Sequence, residues 1–464
     1  MSTLRLWSAF LLLAICVCAA PPLAPQVPEG AKASAHFDAK VATDAWLATM
    51  TGKEQAKSNA YFEGGYWLIL WDFLYTVGVM VLLLETRLSA RIRDWTERIV
   101  GAKFLQCWLY WIVFSAAAYA LLFPLTVYEG YFREHSYGLS NLNFGGWFGE
   151  EMTGFALSAL LGGLAFTVLV LIVRRLPNSW HIWGTLVGIV FLCVAVVIGP
   201  VFIAPLFNKY KPLENQTIKQ SILSLARANG IPATDVYEMD ASKQSKRVSA
   251  NVSGFLGTER ITLNDNLLAR CSPQAILSTM GHEMGHYVLH HIYNSVIFLT
   301  IVIAVMFWVL RNGMEKALVH WGERWGLRGV SDVAALPLAV LILSILGFLF
   351  TPIGNSFTRQ QEYEADMYGL NAARQPDGEA EVDLLLGEYR KMDPGPLEEM
   401  FFFDHPSGRT RIDAAMRWKA QNLCLFDASL ACTNRPETAR GGTRLLSEFR
   451  YKRRFQWNCA YAGF

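Results

Sequence analysis

The run Gly281-His282-Glu283-Met284-Gly285-His286 holds the densest chemistry in this sequence. Residues four apart share one face of an α-helix, so His282 and His286 can offer two imidazole nitrogens to a single Zn²⁺, with Glu283 beside the attacking water. That pattern suits metal-assisted hydrolysis. A catalytic site of this kind takes a third protein ligand and keeps one position open. Downstream, Asn355 to Asp366 reads Asn-Ser-Phe-Thr-Arg-Gln-Gln-Glu-Tyr-Glu-Ala-Asp. Glu362 and Asp366 are four apart and share a face, whereas Glu364 points elsewhere. Glu362 is the expected third ligand, and Asp366 the group that accepts the free N–H of a ligating histidine. Taken alone, the segment is only an acidic helix turn.

These residues need elements to position them. Ser272-Pro273 reads as N-cap and first residue of the helix that carries the histidines. Before it, Leu213–Asn229 has the spacing of an amphipathic helix ending at Asn229-Gly230. Asp235-Val-Tyr-Glu-Met, Val248-Ser-Ala-Asn-Val-Ser-Gly-Phe and Arg260-Ile-Thr-Leu read as short strands, with Gly254 and Gly257 as punctuation. Around this polar part lie uncharged runs long enough to cross a bilayer, near Tyr66–Leu84, Phe104–Tyr128, Gly154–Val173, Trp180–Phe207, Ser295–Leu310 and Ala334–Phe350. Trp and Tyr at their ends match interface belts. Residues 1–24 read either as a signal peptide or as a retained first span.

The organisation expected is therefore a mainly α, polytopic membrane protein of six or seven spans with a zincin-type α+β domain. Residues 25–65 form a polar linker or helix, 66–207 a bundle, and 208–294 the domain with the histidine helix. Two further spans occupy 295–351, and 352–464 carry the third ligand and the rest of that domain. Composition agrees: 53% of the 464 residues are hydrophobic and only 17% charged, against about 25% charged in a soluble chain. The net charge of +2 offers no footprint for nucleic acid. Eight cysteines without a Cys-x-x-Cys pair exclude a thiolate zinc site and a disulfide miniprotein.

Several spaced blocks resemble the type I CAAX prenyl endopeptidases, which are integral-membrane zinc metallopeptidases. They are Arg247-Val-Ser-Ala-Asn251-Val-Ser-Gly-Phe ahead of Arg260-Ile-Thr-Leu-Asn-Asp265, His282-Glu-Met-Gly-His286 with His291 beyond it, Asn355-x-x-x-Arg359-x-x-Glu362-x-x-Ala365-Asp366, and His405-Pro-Ser-x-x-x-Arg411-Ile. The resemblance covers about Asn208 to Ile412. It implies one Zn²⁺ per chain, spans that enclose a chamber with the zinc at its wall, and a strand at Asn251, Val252 and Ser253 that pairs with an extended substrate. It further implies that His405 steadies the scissile carbonyl. Asn355, Arg359 and Arg411 are expected to support the ligands, the arginines as bidentate braces for Glu362 or other carboxylates. His290 and His291 read as solvated or structural residues continuing the histidine helix.

The partners expected are a lipid bilayer and a peptide or protein substrate, with or without a prenylated C-terminus. A membrane quality-control peptidase with the same blocks, and a non-catalytic zinc-binding scaffold, are the competing readings. An intramembrane site-2-type protease fits poorly, because this helix follows a polar domain and carries Ser278, His290, His291 and Asn294. Orientation is read two ways. Arg87 to Lys103, Arg174-Arg175 and Arg311 to Arg328 lie in three loops that the positive-inside rule makes cytoplasmic. The zinc domain would then be exoplasmic, where Cys424 and Cys432 can form a disulfide. The basic tail Arg450-Tyr-Lys-Arg-Arg454 and the eukaryotic members of the family favour the cytosolic side. The signal-like start, with no retrieval signal at the C-terminus, points to a bacterial inner membrane.

Overall fold

The computed structural model describes residues 26–253 and 260–430. The N-terminal apolar segment, Gly254, Gly257, Cys432 and the basic tail lie outside these residues. Helix α1 (Ala39–Leu47) is capped by Asp38, and α2 (Gly52–Glu85) by a reciprocal Thr51–Glu54 capping box. Then come α3 (Leu88–Ile99), α4 (Lys103–Ser136), α5 (Phe144–Arg175) and α6 (Trp180–Phe207). The polar part follows with β1 (Tyr210–Pro212), α7 (Gln216–Ala228), β2 (Val236–Met239), β3 (Ala250–Ser253), β4 (Arg260–Asn264), α8 (Asp265–Arg270) and α9 (Pro273–Val288). Helices α10 (His291–Trp325) and α11 (Val333–Ala373) return to the bundle. The chain ends in α12 (Pro376–Leu386), α13 (Pro396–Phe402) and α14 (Gly408–Gln421).

Among the described residues, six helices are long and apolar enough to cross a membrane: α2, α4, α5, α6, α10 and α11. They coincide with the six internal runs read from the sequence. Their outer faces are apolar and open, as at Val190, Phe202, Ile301 and Trp308, which is what a lipid solvent requires. Small residues have a specific role in α5. A π-turn at Ser158–Gly162 leaves backbone carbonyls without their usual donors, and the Trp111 and Trp108 indoles donate to Ser158 and Ala159 at 3.0 and 2.9 Å. Gly162 and Gly163 leave room for those rings, since a Cβ there would stand 2.7 and 2.5 Å from them.

The three basic loops meet at one end of the bundle. Arg93 contacts Asp332, Arg328 reaches Asp94 and Glu97, each at 2.8 Å, Arg324 reaches Glu85 at 2.7 Å, and Arg311 donates to the Asn178 carbonyl. Helices α2 and α11 each run from that end to the opposite one. There Ser58 bonds the Arg390 carbonyl and α11 supplies the site residues described below. The basic end and the sheet domain are thus at opposite ends of the spans.

The sheet has the order β1-β2-β4-β3, with β2 and β4 parallel and the outer strands antiparallel. Ile222, Leu223 and Ala226 of α7, Ile261 and Leu263 of β4, and Ile276, Met280 and Met284 of α9 form its core. Strand β1 is too short for its alternation to be legible beforehand.

Two boundaries differ from the sequence reading. Within residues 25–65, Ala42 and Trp46 of α1 pack on Ile412, Ala415 and Met416 of α14, and the helix that carries the first apolar run begins at Gly52. Secondly, α11 continues without a break through Pro352, so the final span and the expected ligand segment are one helix. Cys424 is disulfide-bonded.

Candidate metal centre

Ser272 accepts a hydrogen bond from the Ala275 N–H and Pro273 takes the first helical position, so α9 begins where its sequence requires. It packs across α11 through glycines. A Cβ on Gly281 would lie 3.0 Å from the Gly369 carbonyl oxygen, one on Gly285 3.1 Å from Ala365 Cα, and one on Gly369 2.7 Å from the His282 nitrogen. The absence of side chains at these crossings lets the two backbones come close enough for Glu362 to face the histidines. Gly369→Ala should therefore move α11 outward by part of an ångström, lowering metal affinity by about tenfold or more, in the range seen when support around a metal ligand is lost. Metal titration against a chromophoric chelator measures this, and unchanged affinity would refute the role given to the crossing.

His282 Nε2 lies 3.2 Å from Glu362 Oε2 and His286 Nε2 lies 3.6 Å from Glu362 Oε1. The three ligand atoms fall within 4.8 Å of one another. A His₂-carboxylate donor set so gathered fits a divalent metal with an open position. The outward nitrogens are also placed for it. His282 Nδ1–H donates to Asp366 Oδ1 at 2.7 Å, which leaves Nε2 as the inward donor atom. His286 Nδ1 is 2.9 Å from His291 Nδ1, and His291 Nε2 is 3.3 Å from Glu364. His291 is buried. It does not continue the histidine helix: α9 stops, His290 adopts a left-handed φ of 60°, and the reversal brings His291 back over His286. Glu364, although off the ligand face, holds the far side of that histidine. Only the chain reversal reveals this pair.

Arg411 is the centre of a buried charge cluster. It donates to both oxygens of Asp366, at 2.9 and 2.6 Å, and reaches Glu379 at 3.1 Å and Asp383 at 2.9 Å. Ser278 donates to the other Glu379 oxygen. One guanidinium faces three carboxyls, and burial, with the neighbouring acidic groups, holds the Asp383 carboxyl well above the usual range. Glu379 and Asp383 were not anticipated, since Pro376–Leu386 reads as an ordinary acidic helix. Four-residue spacing of the two carboxyls was the one available signal.

Arg359 does not brace Glu362. Its Nη1 donates to the Glu399 and Phe403 carbonyls at 2.9 and 2.6 Å, and Asn355 donates to the Phe401 carbonyl at 2.8 Å. Both residues, one helical turn apart, reach out to α13 and the segment after it. They fix the loop that brings His405 Nε2 to 3.3 Å from Glu362 Oε2, with His405 Nδ1 bonded to Asp404. Glu283 is set inward on α9, and burial, reinforced by the Glu362 charge and opposed by His282, pushes its carboxyl up to about 7 in the metal-free site.

Strand β3 is an edge strand. Ser249 pairs with Asn264, the Asn264 N–H donating to its carbonyl at 2.9 Å. By the alternation of an antiparallel ladder, Asn251 and Ser253 turn their main-chain groups toward β4, and Ala250 and Val252 turn theirs to the open edge. Of the three residues expected to hold substrate, Val252 alone presents its backbone there. Asn251 and Ser253 sit on the strand face with their side chains.

Comparison with known proteins bears on the family and the fold of the chain. Residues 212–419 match the model of peptidase family M48, and residues 38–209 match one described as the CAAX prenyl protease N-terminal region with five membrane helices. An uncharacterised metalloprotease, YhfN, of Bacillus subtilis is 31% identical over 74% of this chain and 82% of its own length. CAAX prenyl protease 1 of Saccharomyces cerevisiae is 29% identical over 63% of this chain and 68% of its own. The crystal structure of S. mikatae Ste24p superposes with a TM-score of 0.68 at 23% identity, covering 79% of this chain and 89% of the other. The shared fold is thus a helical membrane bundle joined to a small-sheet peptidase domain.

Proposed function

Because the chain belongs to peptidase family M48 and is a multi-pass membrane metalloendopeptidase, we propose that it uses one Zn²⁺ to hydrolyse peptide bonds near the C-terminus of prenylated or other membrane-associated proteins. The observation that carries the reading is the convergence of His282, His286 and Glu362 on a helix pair whose second member, α11, is itself a span. Those three residues would hold the zinc, which supplies Lewis acidity toward a carbonyl and an acidified water. Glu283 accepts the proton of the attacking water and delivers it to the leaving amine. His405, tethered through Nδ1 to Asp404, offers Nε2–H to the oxygen that gains charge. Asp366, oriented by Arg411, keeps His282 in the tautomer that leaves Nε2 free. The open edge of β3 holds the substrate main chain.

The continuation of a span into the catalytic domain, as one helix with the third ligand, supports chemistry close to the membrane boundary, where a lipid-modified chain end would be presented. Each buried lipid CH₂ contributes about 0.8 kcal/mol. Cleavage of unlipidated membrane proteins for quality control is the second reading, favoured by the extent of likeness to a bacterial metalloprotease. The site we infer to be exoplasmic on a bacterial inner membrane, since the three interlocked basic loops lie at the far end of the spans.

Mass spectrometry of products from matched farnesylated and unmodified C-terminal peptides, with detergent-purified full-length protein and Glu283→Ala as control, tests the function. Cutting of the farnesylated peptide alone supports prenyl dependence, and equal cutting of both supports the quality-control reading. Cutting of neither by the wild type would leave the zinc-binding scaffold.

A further inference from the structure

Helix α3 joins two spans, since α2 ends at Glu85 and α4 begins at Lys103, so its 12 residues stay at the basic end of the bundle. One face is fixed to the protein. The Ser89 hydroxyl is 2.6 Å from that of Tyr110 and donates to the Ala334 carbonyl at 2.7 Å, and Ile92, Arg93 and Thr96 are buried on the same side. Arg93 contacts Asp332 and donates to the Gly326 carbonyl at 3.1 Å. The acidic edge of the helix is also taken. Arg328 bridges Asp94 and Glu97, and Arg93 approaches Asp94 at 2.9 Å.

The opposite face follows from the helical period. Arg91, Trp95, Arg98 and Ile99 are four, three and one residue apart and all exposed, the indole by 45% and the isoleucine by 52%. Neither Arg91 nor Arg98 has a side-chain hydrogen bond or ion pair among the described residues. The stripe runs on into Lys103, Phe104 and Leu105, exposed at the start of α4. Charge agrees across the whole end of the bundle. Over residues 85–103, 174–175 and 311–332, eleven Lys and Arg stand against six Asp and Glu. Five of those carboxylates, Glu85, Asp94, Glu97, Glu315 and Asp332, already pair with Arg93, Arg311, Arg324 or Arg328.

We propose that this face of α3 is an anionic-phospholipid site, with Arg91 and Arg98 on the headgroup phosphate and Trp95 and Ile99 in the adjoining acyl region. A helix with cations beside a tryptophan and an aliphatic residue lies in the interface plane, and each arginine near an anionic leaflet adds attraction. Guanidinium forks also match phosphate oxygens. The occupant is a lipid and not a soluble anion, because the exposed apolar pair adjoins the cations and continues into the outer surface of α4. The site lies at the end of the spans opposite the metal centre, so it stands apart from the peptidase reading.

Native mass spectrometry of the full-length protein in detergent, titrated with dioleoyl phosphatidylglycerol or dioleoyl phosphatidylcholine, tests this. Wild type should bind phosphatidylglycerol more tightly by about five- to thirtyfold, the effect of one or two arginines at an anionic surface, and the margin should shrink as salt rises. R91Q/R98Q should lose the preference and keep wild-type thermal unfolding in phosphatidylcholine, whereas W95S should weaken both lipids alike. K316Q, at the same end of the bundle, should keep the preference. Equal binding of the two lipids by wild type overturns the proposal, as does a double variant that retains the preference or unfolds earlier in phosphatidylcholine. Loss of the preference in K316Q would make the attraction a diffuse property of the basic end, and displacement of the lipid by inorganic phosphate would make the site one for soluble anions; either result overturns it.

Discussion

Glu283→Gln should lower turnover by at least about 10² to 10⁴-fold, the usual contribution of a positioned general base, while metal content stays at the wild-type level. The carboxylate is the proton acceptor of the proposed hydrolysis and none of the three converging ligand atoms belongs to it. Peptide turnover and elemental analysis on one preparation check both halves, and activity within a few-fold of wild type would remove Glu283 from its role. A second readout concerns the metal-free protein. Burial raises the Glu283 carboxyl to about 7, so the folded state binds its proton more tightly than the unfolded chain does. The sign follows from linkage: stability is greatest below the ordinary glutamate range near 4.5 and falls as pH rises from there through about 7. Glutamine carries no such charge. Metal-free Glu283→Gln should thus unfold at a higher temperature than metal-free wild type at pH 8, by up to about 3 kcal/mol, with the difference gone near pH 4.

Arg411→Ala should be the most damaging change away from the ligands. It removes the one cation among Asp366, Glu379 and Asp383, all buried. Breaking a buried charge pair in this way costs about 3–5 kcal/mol. Asp366 would also lose the fork that aims it at His282, and loss of such a support lowers metal affinity by roughly 10–100-fold. Arg411→Lys keeps the charge without the planar fork, so it should recover stability more than metal affinity. Thermal unfolding and metal titration of the two variants separate the effects. Wild-type values for Arg411→Ala would mean that the carboxyls are neutral and need no counter-charge.

Arg411 also marks how far a sequence reaches. As a brace for some carboxylate it was legible from its type and its place in a spaced block, but its partners lie on two other helices, 28 to 45 positions away. Arg359 was legible as a functional arginine and was given the wrong partner. Its side chain leaves the ligand face and takes two carbonyls near α13, which no helical period records.

What the sequence determined by itself is whatever depends on neighbours along the chain. Hydropathy over about twenty residues defined six spans, since the hydrocarbon thickness sets their length. The Ser272-Pro273 start, the pairing of His282 with His286, and the shared face of Glu362 and Asp366 followed from capping and from the helical period. Tertiary structure alone decided the rest. Gly281, Gly285 and Gly369 set the distance between α9 and α11, the reversal at His290 delivered His291 to His286, and the Leu139–Asn141 loop closed the edge beside β3. Each of these rests on contacts between elements or on a single backbone reversal, and their strength depends on close approach in three dimensions rather than on any repeat along the chain.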